Sequence, residues 1–94
     1  MAKKLLISKL AERNIDEILQ NVYEFTSSAT SSQKLLNDFI KHFELISMLP
    51  KSGKLQADKT RITFCRHYRI VYQEAGEFLE IITVIHSRRK YPQL

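Results

Sequence analysis

Two spacings of apolar residues divide this chain. Over residues 9–25, Ala11, Ile15, Ile18, Val22 and Phe25 recur every three or four positions. That interval lines them along one face of a helix, with Glu12, Arg13, Asp16, Glu17 and Gln20 opposite. Residues 26–32 are small and polar and predict a turn. Thr30 and Gln33 have capping-box spacing, so a second helix is expected to start there. Leu36, Phe39, Ile40, Phe43, Ile46 and Leu49 carry the helical period onward, and Pro50 stops it. A connection this short folds the two helices into an antiparallel hairpin.

Elsewhere the period is two. Residues 4–8 read as a short first strand, and Ser8 is also placed to cap the helix after it. Residues 51–60 have no period and hold Gly53, Lys51, Lys54 and Lys59, which predicts an exposed loop. Ile62 and Phe64 then alternate with Thr63 and Cys65, a tight bend is expected at Arg66 and His67, and Tyr68, Ile70 and Tyr72 alternate with Arg69 and Val71. Gly76, able to take positive φ, marks a turn within residues 74–77. Residues 78–86 are apolar apart from Glu80 and Thr83 before His86 and predict a central strand covered on both faces over much of its length. The order β-α-α-β-β-β predicts an α+β, two-layer sandwich, its helical hairpin packed on a small antiparallel sheet whose last three strands form a meander.

Ninety-four residues predict one domain, spanning 1–94. A single cysteine, Cys65, excludes an internal disulfide framework and fits a reducing cytoplasm, the expected location. No apolar run is long enough for a membrane span, and the Leu5–Leu6–Ile7 patch is too short for a signal peptide. A net charge of +5 points toward polyanions or an acidic protein partner. His42, His67, His86 and Cys65 are too scattered to predict a metal site, and no cofactor is expected. Cys65 reads as a packed small side chain, His42 as surface, His67 as part of the bend. Tyr68 and Tyr72 share a strand face, where packing is favoured over base stacking.

Several strings, in this order, resemble the RelE/ParE toxin superfamily. The first helix opens Ser8-Lys9-Leu10-Ala11-Glu12-Arg13-Asn14-Ile15-Asp16-Glu17-Ile18, and the second exits through Leu49-Pro50-Lys51-Ser52-Gly53. Arg61-Ile62-Thr63-Phe64 and Tyr68-Arg69-Ile70-Val71-Tyr72 look like that family's paired strands. Val84-Ile85-His86-Ser87-Arg88-Arg89, continued by Lys90-Tyr91-Pro92, resembles the ending of the ParE branch. The resemblance implies a toxin–antitoxin toxin that inhibits growth or stabilises a plasmid. It implies a cognate antitoxin, a toxin–antitoxin hetero-oligomer, and one of two targets. The ParE-like reading is block of DNA gyrase. The RelE-like alternative is ribosome-dependent cleavage of mRNA.

Cleavage by 2′-hydroxyl attack requires a proton acceptor, a cation for the phosphorane and a proton donor for the leaving oxygen. On the RelE-like reading Arg61 and Arg88 would hold the phosphate, His86 or Tyr91 would move the proton, and Lys51 and Lys54 would hold the RNA backbone. On either reading Lys51, Lys54, Arg61, Arg88 and Arg89 are the candidate target-binding residues. Whether Arg61 meets the end of the last strand depends on strand register, which sequence leaves open. The early Tyr91 and the following Pro92 favour the gyrase-directed branch.

Overall fold

A computed structural model describes residues 2–87 of the chain. The elements run β1 (Lys4–Ile7), α1 (Lys9–Thr26), α2 (Ala29–Met48), β2 (Lys54–Leu55), β3 (Arg61–Cys65), β4 (Tyr68–Ala75) and β5 (Phe78–His86). The α+β sandwich is the expected one, but its sheet is wider than expected. Five strands lie in the order β1-β5-β4-β3-β2, antiparallel except for the parallel β1–β5 pair. The stretch expected to be only a loop contributes β2, a two-residue strand too short to show a period. Beyond it Asp58 Oδ1 accepts from the Thr60 amide at 3.0 Å and the Thr60 hydroxyl at 2.6 Å, tightening the return into β3. Those two bonds hold the Asp58 carboxyl below its ordinary range.

The helical hairpin follows from its caps. Ser8 Oγ accepts from the Ala11 amide at 3.0 Å and starts α1. Ser27, in the left-handed region at φ 53°, ends it. The second helix starts before the expected Thr30, because Ser28 is already extended and its Oγ accepts from the Ser31 amide at 3.2 Å. Gln33 reaches forward to Asn37 Oδ1 at 3.1 Å instead of back to a cap.

The core lies between hairpin and sheet. Ala11 and Ile15 of α1 and Leu35, Phe39, Phe43 and Ile46 of α2 are buried against Cys65, Ile70, Tyr72, Leu79, Ile81 and Val84. The buried stripe of α2 therefore runs through Leu35, whereas Leu36 is only partly covered and Ile40 is exposed. Phe25, expected on the buried stripe, is 92% exposed. It sits in the last turn of α1, two residues before the left-handed Ser27 that ends the helix. Strand β5 buries Leu79, Ile81 and Val84 on the helix side and is only half-buried at Glu80, Ile82, Thr83 and Ile85.

β1 covers the edge of β5 only as far as Ile81, and α1 takes over from there. Ser8 Oγ donates to the Ile82 carbonyl at 2.7 Å. Asn14 Oδ1 accepts from the Val84 amide at 3.2 Å and from the Thr83 hydroxyl at 2.6 Å. Edge groups that a further strand would otherwise satisfy are thus closed by two polar side chains.

Candidate functional site

Strand register sorts the expected site residues into two groups. Arg61 pairs with Tyr72, which pairs with Ile81, whereas Cys65 pairs with Tyr68, which pairs with His86. Arg61 and His86 therefore stand at opposite ends of the sheet and two strands apart. Four residues of strand rise and two interstrand steps put about 16 Å between them. Among the described residues, the phosphate-holding and proton-moving roles considered for Arg61 and His86 are not brought together. Arg88, Arg89 and Tyr91 lie outside the described residues.

The first group is Lys51, Lys54 and Arg61, with Tyr72 beneath them. Tyr72 is fully buried, as packing on the helix side of β4 demands. Its hydroxyl accepts from the Gly53 amide at 2.8 Å and donates to the Pro50 carbonyl at 2.9 Å. Arg61 Nη1 donates to the Gly53 carbonyl at 2.9 Å and the Lys51 carbonyl at 3.3 Å. Two side chains of the sheet thus fix the backbone at residues 50, 51 and 53, leaving Lys51 and Lys54 exposed. Gly53 is buried so tightly that an added Cβ would lie 2.5 Å from the Tyr72 hydroxyl and 2.9 Å from the Ile62 carbonyl. Arg61 fastens this loop as well as charging it.

The second group surrounds His86. Its ring stacks on His67 at 6.3 Å between centroids and meets the edge of Tyr68 at 5.3 Å, and Tyr68 in turn meets Phe39 at 5.5 Å. His86, Tyr68, Glu17, Asn14 and Asn21 line a cleft of about 460 Å³ between α1 and the end of β5. Burial pushes the Tyr68 hydroxyl above its ordinary value. The bend expected at Arg66 and His67 is a two-residue hairpin turn with Arg66 at φ 55°. Arg66 is anchored by Nε donating to Asp38 Oδ2 at 2.6 Å. Buried Cys65 has its thiol pushed up, first by desolvation and then by the Asp38 charge, as befits a packed side chain. On the outer sheet face Arg69 lies over Phe64, 5.8 Å from the ring centroid.

Sequence reasoning did not find the Tyr72 strap, the Asn14 edge cap or the approach of His67 to His86. Tyr72 and Asn14 look like ordinary strand and helix-surface residues until register puts Gly53 and Val84 beside them. Among the described residues no three His, Cys, Asp or Glu side chains gather as a metal site, and no helix is long and apolar enough to cross a membrane.

A helical hairpin on a small five-stranded sheet, with a cationic loop strapped to one end and an aromatic cleft at the other, defines a two-layer α+β domain. The profile of the family described as "ParE toxin of type II toxin-antitoxin system, parDE" matches residues 5–91. The chain belongs to that family. Among solved structures it is similar to a chain of the "Chromosomal ParDE TA system from P. aeruginosa". The TM-score is 0.77 at 12% identity, over 90% of this chain and 96% of that one. This likeness carries the fold. No curated protein matches the chain.

Proposed function

We propose that this chain inhibits growth by binding DNA gyrase in the cytoplasm and is silenced there by a cognate antitoxin. The carrying observation is the register that stations Arg61 and His86 at opposite ends of the sheet in a ParE-family chain. A binding inhibitor needs cationic and apolar surface in fixed places, whereas a nuclease needs its acid, base and phosphate cation at one point. On this reading Lys51, Lys54, Arg88 and Arg89 contact the target, with Arg61 holding the loop that presents the first two. On the RelE-like alternative Arg61, His86, Arg88 and Tyr91 would be the catalytic set.

The test is a supercoiling assay with purified gyrase and the purified chain, run beside primer extension on translated mRNA. Loss of supercoiling with intact transcripts is the expected result. Unchanged supercoiling at micromolar chain together with cleavage at codons would overturn the gyrase reading. The antitoxin component is tested by co-purification from a two-gene expression, where a stable complex that restores supercoiling is expected.

A further inference from the structure

The second helix carries two apolar stripes. Leu35, Phe39, Phe43 and Ile46 face the core, whereas Leu45, Met48 and Leu49, spaced i, i+3, i+4 at its C-terminal end, are exposed. Met48 is 66% exposed and Leu49 56%. These two residues, with Pro50, Lys51, Ser52 and Glu74, line an open, mostly apolar hollow of about 390 Å³. Three neighbouring large apolar side chains beside a shaped hollow are the pattern of a binding surface and not of scattered exposure.

The rim identifies the occupant. Lys51 stands on it, and Glu74 is neutralised by Lys3, whose Nζ lies 3.4 Å from Oε1. The hollow is therefore apolar inside and net cationic at its edge. We propose that it receives an acidic peptide segment, an apolar side chain filling the space over Met48 and Leu49 while flanking carboxylates meet Lys51. A nucleic-acid strand complements the charge but leaves the apolar floor unfilled. A second copy of the chain complements the floor but brings the same net charge of +5, so it matches the cationic rim less well than an acidic segment does. The wall is also pre-formed: Pro50 and Lys51 are fastened through their carbonyls to Tyr72 and Arg61, so little ordering cost remains on binding. The proposal is independent of whether gyrase or mRNA is the toxin's target, since it concerns binding to the isolated chain.

The experiment is fluorescence polarisation of the full chain with three labelled probes. They are the peptide Glu-Asp-Leu-Phe-Glu-Asp, the same peptide with serine in place of leucine and phenylalanine, and a hexathymidylate strand. The apolar acidic peptide is expected to bind at least tenfold more tightly than either control. Met48→Ser is expected to weaken it about tenfold, the equivalent of one buried side chain lost. Lys51→Ser is expected to weaken it about threefold, as for one exposed charge pair. Both residues are exposed, and thermal melts of the variants verify that folding is intact. Equal or tighter binding of the thymidylate strand, or unchanged peptide affinity in folded Met48→Ser, would overturn the proposal. Self-association in sedimentation that the peptide does not compete away would also overturn it, in favour of a second copy as occupant.

Discussion

Replacing Tyr72 with phenylalanine removes one oxygen atom and keeps the ring that fills the core. That oxygen accepts from the Gly53 amide at 2.8 Å and donates to the Pro50 carbonyl at 2.9 Å. Gly53 is buried, so its N–H has no water to turn to, and an orphaned buried donor costs about 1–3 kcal/mol. The Pro50 bond is only part-buried, and its loss adds about 0.5–1 kcal/mol. Tyr72→Phe should thus destabilise the fold by about 2–3 kcal/mol, which for a chain of this length lowers Tm by roughly 10–20 °C. Urea denaturation measures the change directly and should show a lower midpoint at an unchanged slope, because the surface exposed on unfolding is the same. Native-state hydrogen exchange should show the Gly53 amide losing protection while those of β4 and β5 keep their ranking. A loss below about 0.5 kcal/mol, or a Gly53 amide as protected as before, would refute the strap.

Four further outcomes follow from the same contacts. Gly53→Ala should cost more than about 2 kcal/mol, since the new Cβ meets a backbone carbonyl as well as the Tyr72 ring; in the double variant with Tyr72→Phe the costs should be less than additive, and strict additivity in urea melts would contradict the shared contact. Asn14→Ala should lose about 1–3 kcal/mol by stranding the Val84 amide, read by thermal melting and by faster exchange of that amide. Ser28→Ala should cost about 1 kcal/mol through loss of the α2 cap, and an unchanged Tm would count against it. Cys65 titrates higher in the folded chain than in the unfolded one, so the folded state holds its proton more tightly. Stability should be indifferent to this thiol below its unfolded pKa and fall as pH rises from there toward the raised folded value. Thiol-reagent labelling near pH 8 should proceed only as fast as the protein opens, and prompt stoichiometric labelling would refute the burial.

The fold was legible because each helix writes its core stripe at a period of 3.6, Tyr68, Ile70 and Tyr72 of β4 alternate at a period of two, and β5 reads as an apolar run. The two-residue β2 and the parallel placement of β1 were not legible. A pair of residues has no period, and the partner of an isolated N-terminal strand is chosen by packing seventy residues away. Phe25 misled for a related reason: its phase was right, but phase does not report whether anything large stands opposite. Of the site, the charges of Lys51, Lys54 and Arg61 were visible as residue types. The carbonyls that Arg61 grips, and the separation of Arg61 from His86, are properties of register, which no local pattern encodes.

The parallel pairing of β1 with β5 joins Lys4 to Phe78 and Ile7 to Ile81. β5 also supplies Leu79, Ile81 and Val84, much of the floor on which the hairpin buries its stripes. A growing polypeptide therefore holds its two helices without much of their platform until β5 has been synthesised. Chains interrupted before the final strand would carry no finished surface, and the interval before completion is when a partner made alongside could first engage the exposed helices.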